Sequence, residues 1–396
     1  MNMFGVGVGK LFSAMTQQSA QMDALAQSAL SSGIGYYQNG KYDLALREFK
    51  RAISLSPPSE NTLNAYDYSA ISFLKLGKNK EAIKAYQSVL RLDPNRDDFH
   101  NKLGNILLEE GEVDPAIKSF QAALRVEPGS TAYLYSLGQA YLAKGSVENA
   151  KDQFEKIIRL APREYGGFYG LGQAYYKEGE YEKAVDQFNR AIALKEDFAY
   201  ARMDLGHALA DLGRVPEAYE QAGILKDKDP GLAFTLNNYI YRVSQPEFLA
   251  AYSDDGFNTT LGPRTPVSDL DAALAAPGAS REFTMKFIFS KEMDLASVEN
   301  PYNWTIQRAA FGTSGGSYNW GMPVSTTEVK IPAFPDRVRY DWESNTAILT
   351  FAVDQDNNAS GTIDPSHLIF QFSGKDSYGN KMDPAADQYG GLSKIV

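Results

Sequence analysis

Residues able to do proton or metal chemistry are scattered through this chain of 396 residues. The three histidines, His100, His207 and His367, lie 107 and 160 positions apart, and none sits at a metal-ligand spacing. There is no cysteine, which removes disulfides, thiol nucleophiles and Cys-based zinc sites together. Carboxylate pairs such as Glu109/Glu110 read as charges on solvated helix faces. Gly5-Val-Gly-Val-Gly9 is not followed by Lys-Ser/Thr in the register that a phosphate loop needs. The segment Asp354–Asp364 gathers oxygen donors, and Asp354, Asp356, Asn358 and Asp364 together hint at calcium. It lacks the glycine at the sixth and the glutamate at the twelfth position of a helical calcium loop. No other cofactor and no catalytic residue is expected, and the reading is of a chain that is not an enzyme.

Charge points the same way. Residues 1–245 hold 28 Lys+Arg against 30 Asp+Glu, and residues 246–396 hold 11 against 19. Neither part has the basic excess that phosphate neutralisation requires, so nucleic acid is not an expected partner. No run approaches the roughly 20 apolar residues of a membrane span. The start, MNMFGVGVGKLFSAMTQQ, is a poor signal peptide, because its apolar stretch is short, Gly-rich and broken by Lys10. Two localisations remain open: cytoplasmic, or exported and cell-surface by a route without a cleaved signal.

The positioning elements come from a repeat. Six units start at Ala26, Leu63, Asp97, Thr131, Tyr165 and Ala199, the last five 34 residues apart. At the eighth position stand Gly33, Ala70, Gly104, Gly138, Gly172 and Gly206, and at the twentieth Ala45, Ala82, Ala116, Ala150, Ala184 and Ala218. Small residues in both columns let two antiparallel helices approach closely. The fifteenth position is glycine in all six units (Gly40 to Gly213), where a helix must end in a left-handed turn. Large groups fill the twenty-fourth, Phe49, Tyr86, Phe120, Phe154 and Phe188, with Ala222 as the exception. Pro57, Pro94, Pro128, Pro162 and Pro230 close the second helices.

These columns resemble the tetratricopeptide repeat family over residues 26–230. The resemblance implies helix–turn–helix units stacked into a right-handed superhelix with a concave inner face. Residues 233–244 then read as a terminal capping helix, and residues 10–25 as partly helical. In this family the inner face is lined by chosen positions of each first helix. Carried over, they give Asn101 and Asn105, Tyr135 and Gln139, Tyr169 and Gln173, Met203 and His207, with Tyr176 and Tyr200 beside them. The Lys/Asn pairs that clamp a C-terminal carboxylate in chaperone-binding members are absent. The groove instead alternates amides, which can both donate to and accept from a peptide backbone, with tyrosines, whose flat rings suit an interface. The competing reading has the tyrosines packed on neighbouring helices and the amides solvated.

After residue 245 the texture changes to alternating runs. Glu282–Ser290 places Phe283, Met285, Phe287 and Phe289 on one face. Thr346–Val353 and Ser366–Phe372 alternate similarly, while Leu249–Ser253, Trp304–Gln307, Thr326–Ile331 and Arg337–Tyr340 read as shorter strands. Phe287–Val298 resembles the F-S-x-x-M-D-x-x-S-V stretch, and Phe372–Asp383 the closing D-x-x-G-N-x-x-D turn, of bacterial Ig-like domains of S-layer and other surface proteins. That resemblance implies a β-sandwich over residues 246–396. A Gly- and Ser-rich insertion, Ala309–Pro323, departs from it and reads either as a contact surface or as a hairpin tip.

The expected fold class is therefore multidomain α + β. Residues 1–25 form an N-terminal segment, 26–245 six repeats plus a capping helix, and 246–396 an Ig-like sandwich. The expected function is a scaffold or adaptor that binds a protein segment in the groove. The alternative is a self-assembling subunit of a filament or surface coat. There the groove of one copy would take the N-terminal segment or the 309–323 loop of the next.

Overall fold

The computed structural model describes residues 3–55, 59–310, 316–390 and 394–395, with side chains described between Met15 and Gly390 in those ranges. The chain divides into two compact units, Met1–Phe234 and Thr235–Val396.

The first unit consists of helix pairs: α1 (Met3–Gln38) and α2 (Tyr42–Leu55), α3 (Glu60–Lys75) and α4 (Asn79–Leu92), α5 (Asp97–Glu109) and α6 (Val113–Val126). They are followed by α7 (Thr131–Lys144) and α8 (Val147–Leu160), α9 (Tyr165–Glu178) and α10 (Tyr181–Leu194), α11 (Ala199–Asp211) and α12 (Val215–Lys228). Each turn inside a pair bends at the expected glycine, whose φ lies between +69° and +80° in all six. A β-carbon there would strain the backbone. An acid stands in the first turn of each second helix (Asp43, Glu81, Asp114, Glu148, Glu182, Glu217), where it faces the positive end of the helix dipole.

Packing inside a pair follows from two columns. The alanine at the twentieth position is fully buried in every unit. The glycine at the eighth lies against the ring at the twenty-fourth. A β-carbon on Gly33, Gly104, Gly138 or Gly172 would fall 2.5–2.6 Å from Phe49, Phe120, Phe154 or Phe188. Helix spacing is thus set by a ring seated on a bare backbone.

α13 (Pro230–Val243) follows; Pro230 is its first residue and stands two positions after the last residue of α12. The second unit holds β1 (Phe248–Tyr252), β2 (Thr265–Pro266), β3 (Ser280–Phe289), a helical turn at Leu295–Val298, β4 (Trp304–Arg308) and β5 (Arg337–Asp341). β6 (Thr346–Asp354), β7 (Thr362–Ile363), β8 (Leu368–Phe372), β9 (Gln388–Gly390) and β10 (Lys394–Ile395) complete it. Two four-stranded antiparallel sheets form, in the orders β1-β3-β6-β5 and β10-β9-β8-β4, with a small β2-β7 pair beside them. Phe283, Met285, Phe287 and Phe289 are buried on one face of β3 as their alternation requires. Across the core Phe287 meets Trp304 at 5.2 Å and Phe370 at 5.6 Å, and Phe289 meets Phe372 at 5.4 Å.

One expected strand does not form. Thr326–Ile331 makes only an isolated bridge, Glu328 with Thr362. Its polar members are used locally instead: Ser325 and Thr327 hydroxyls bond each other, and Thr327 reaches Thr362. The strand expected over Ser366–Phe372 begins at Leu368, because Pro365–His367 form a 3-10 turn.

The segments Phe287–Val298 and Phe372–Asp383 meet in space. Met293 bridges Asp376, and the Asp294 N–H donates to the Lys375 carbonyl at 3.2 Å. Between them Lys291, 2% exposed, pairs with the buried Asp376 at 2.7 Å. Its ammonium also donates to the carbonyls of Tyr241 and Ser244, 2.5 and 2.8 Å away, which closes the carbonyl end of α13.

Candidate binding groove

The expected groove residues lie on α5, α7, α9 and α11, the first helices of four successive pairs. On such stacked helices, residues one repeat apart are neighbours, and the hydrogen bonds show it. Gln139 Nε2 donates to Gln173 Oε1 at 2.8 Å, and Gln173 Nε2 donates to Asp204 Oδ2 at 3.3 Å. The Tyr169 hydroxyl donates to the same oxygen at 2.9 Å. His207 Nδ1 lies 3.9 Å from Asp204 Oδ1. Gln139, Gln173, Asp204 and His207 line a pocket of about 350 Å³ with Leu142, Tyr176, the Phe188 ring and Lys177, whose ammonium donates to the Leu142 carbonyl at 2.5 Å.

Burial shapes the chemistry of this pocket. It pushes the Asp204 carboxyl above its ordinary value of 3.8, against the pull of the Tyr169 and Gln173 donors. It pushes His207 below 6.5, against the nearby Asp204 and Asp211 carboxylates. Tyr169 is raised by burial and by Asp204, and Tyr135, raised chiefly by burial, reaches about 12. The pocket therefore offers an acceptor carboxylate, two amides and a neutral imidazole, with the Lys177 ammonium already taken up by the Leu142 carbonyl. That set suits holding a peptide N–H or a cationic side chain.

The tyrosines divide. Tyr169 is buried, with its ring against Phe198 at 4.7 Å and Phe188 at 6.0 Å. Tyr135 packs on Phe154 at 5.7 Å, and the Tyr176 hydroxyl donates to Asp211 at 2.6 Å. Only Tyr200 of the four is strongly exposed, at 58%. The expectation of an open aromatic strip is corrected accordingly: the rings fill space between first helices, and amides and acids occupy the face. Asn101 and Asn105 lie one turn apart on α5, away from the pocket; Asn105 is exposed, and Asn101 Oδ1 is buried without a donor among the described residues. Met203 is partly buried on α11.

Asp204 is the residue that sequence reading missed. It stands at the sixth position of its unit, one place off the column read as groove-lining. The available signal was an acid one helical turn before His207 on the same helix.

The second unit gathers a buried polar cluster. His367 Nδ1 lies 2.7 Å from Asp364 Oδ2 and 3.0 Å from Ser366 Oγ. A nucleophilic triad needs serine and acid on opposite ring nitrogens, and here both share one. Asp364 also accepts from the Asn319 N–H at 2.7 Å, which fixes the end of the 309–323 insertion. Trp320 in that insertion is 70% exposed; its residues 311–315 lie outside the described set.

The four residues considered for calcium take separate partners. Asp354 accepts from Ser280, Asp356 from its own turn at Asn358 and Ser360, and Asp364 from Asn319 and Ser366. Among the described residues no three His, Asp or Glu side chains converge as metal ligands, and no helix is long and apolar enough to cross a membrane.

Comparison with known proteins places the repeats. Family models described as TPR repeat match residues 72–111, 104–145 and 148–213, and one described as tetratricopeptide repeat matches 131–164. This stretch is thus made of tetratricopeptide repeats. A tetratricopeptide repeat protein from Parabacteroides merdae ATCC 43184 aligns with a TM-score of 0.50 and 16% identity, over 55% of this chain and 86% of that one. Its likeness is one of fold. The structure titled for Pseudomonas aeruginosa pilF aligns with a TM-score of 0.44 and 23% identity, over 55% of this chain and 98% of its own. MamA 41-end from Desulfovibrio magneticus RS-1 aligns with a TM-score of 0.40 and 21% identity, over 45% and 98%. No curated protein matches the chain by sequence.

Proposed function

We propose that the chain is a non-enzymatic scaffold whose repeat unit holds a protein segment along the face of α5, α7, α9 and α11. The observation that carries this reading is the pocket in which Gln139, Gln173, Asp204 and His207, drawn from three successive first helices, converge. Asn101 Oδ1, a sheltered acceptor on α5, extends the same face. A backbone N–H or a Lys/Arg head of the segment bonds Asp204, and the paired glutamines exchange their mutual bond for bonds to its peptide groups.

For the second unit we propose an Ig-like module that places the scaffold in an assembly. Its sheet orders support this: β1-β3-β6-β5 and β4-β8-β9 follow the A-B-E-D and C-F-G arrangement of constant-type immunoglobulin sandwiches. The buried Trp304 sits on the strand where those domains keep a core tryptophan.

The test is affinity capture from the native cell with the wild-type chain and with Gln139→Ala/Gln173→Ala. Neither glutamine belongs to the helix core, so the variant keeps its fold by circular dichroism. A partner held by wild type and lost by the variant is the expected result. Equal capture by both removes the groove from the function.

A further inference from the structure

We propose that the repeat unit has a second docking site, an apolar pocket among α2, α3 and α4 that receives one large apolar side chain from an acidic protein segment. The pocket arises from a break in a repeat column. The seventh position of units three to six is leucine: Leu103, Leu137, Leu171 and Leu205, all 6% exposed or less. In unit one it is Ser32 and in unit two Ser69. The Ser69 hydroxyl turns back to donate to the Ala65 carbonyl at 2.6 Å, so it does not fill the space a leucine would take.

What remains is a pocket of about 530 Å³ walled by Leu46, Ile53, Tyr66, Phe73 and Ala85. Large enough for an indole or a phenyl ring, it lies at the position that units three to six fill with leucine. Leaving apolar walls unfilled costs stability, and an occupant recovers it.

Charge on the rim selects the occupant. Arg47 and Lys50 on α2 and Lys84 on α4 border the pocket, against the single acid Glu81. All three cations are exposed, and none is in an ion pair among the described residues. A fatty acid would bring a single carboxylate to a rim that carries three cations. Cations on two helices on either side of an apolar hole match carboxylates on either side of an apolar side chain, which is the pattern of an acidic peptide. Long-range attraction from the rim brings the segment in, and the buried side chain holds it.

The probe is a fluorescein-labelled peptide, Asp-Glu-Trp-Glu-Asp, titrated into the full chain and read by fluorescence anisotropy. Saturable binding that weakens as salt is raised is expected. Ser69→Leu, which installs the residue that units three to six use, should weaken it at least about tenfold. Its helical circular dichroism stays unchanged. Arg47→Glu/Lys50→Glu/Lys84→Glu should weaken it as much, and Gln139→Ala/Gln173→Ala not at all, which separates this site from the groove. The proposal is overturned if the peptide does not saturate, if Ser69→Leu binds as wild type, or if a peptide with serine in place of tryptophan binds equally. It is also overturned if dodecanoate occupies the pocket and the peptide does not.

Discussion

Buried titratable groups decide most at the scale of single residues. In the groove, Asp204 is held above its ordinary range and His207 below it, both chiefly by burial. A raised acid favours folding while it is protonated, so its contribution is full below pH 3.8 and is lost as pH rises through the higher folded value. A lowered histidine works the other way: its contribution is full above pH 6.5 and is lost as pH falls through the lower folded value. Proton NMR should therefore show one of the three imidazoles, assigned by loss in His207→Gln, titrating below 6.5. Urea denaturation of Asp204→Asn should lose the part of the stability decline that the wild type shows as pH rises from 3.8. In the second unit, Lys291 and Asp376 are both buried and paired at 2.7 Å. Removing Lys291 leaves the buried Asp376 without its counter-ion, held only by N–H donors of Tyr378 and Asn380, so Lys291→Met should destabilise this unit by about 3–5 kcal/mol. Lys291→Met/Asp376→Leu should recover only part of that loss, because the Tyr241 and Ser244 carbonyls and the Tyr378 and Asn380 N–H groups lose their partners, as measured by denaturant unfolding followed at tryptophan. All three tryptophans, Trp304, Trp320 and Trp342, lie in this unit.

The helix pairs were legible in the sequence because their geometry is written in residue size and repeated six times. Gly138 has to be small because Phe154 lies where its β-carbon would be. Gly138→Ala should accordingly cost about 1–3 kcal/mol, the usual penalty of overpacking, in thermal or urea unfolding. The opposite sign is expected at Ser69→Leu, which fills a gap with a better helix former and should raise stability by about 1 kcal/mol. The long alternating strands β3 and β6 were legible for the same reason: a two-residue period of large apolar groups has one way to be buried. Thr326–Ile331 misled because Ser and Thr hydroxyls bond nearby groups as readily as a ladder forms. The groove was half legible. Its amide column, Gln139 and Gln173, follows the repeat, but Asp204 does not repeat, and the burial of Tyr169 depends on Phe198, a residue from the loop before α11.

At the scale of the whole molecule, chemistry and charge are divided between two units. The repeat unit is nearly neutral and carries both the amide-lined groove and the cation-rimmed pocket, while residues 246–396 carry most of the net acid. Such a division suits a scaffold, in which one unit selects a segment and the other is free to face a different surface. The central claim is that the groove pocket is where the segment lies. It is tested most directly by replacing the exposed Tyr200, at the edge of that face, with p-benzoylphenylalanine and irradiating the native cell. The account predicts a discrete crosslinked product that disappears when Gln139→Ala/Gln173→Ala is added to the same chain. A product that survives those substitutions unchanged, or no product at all, would contradict it.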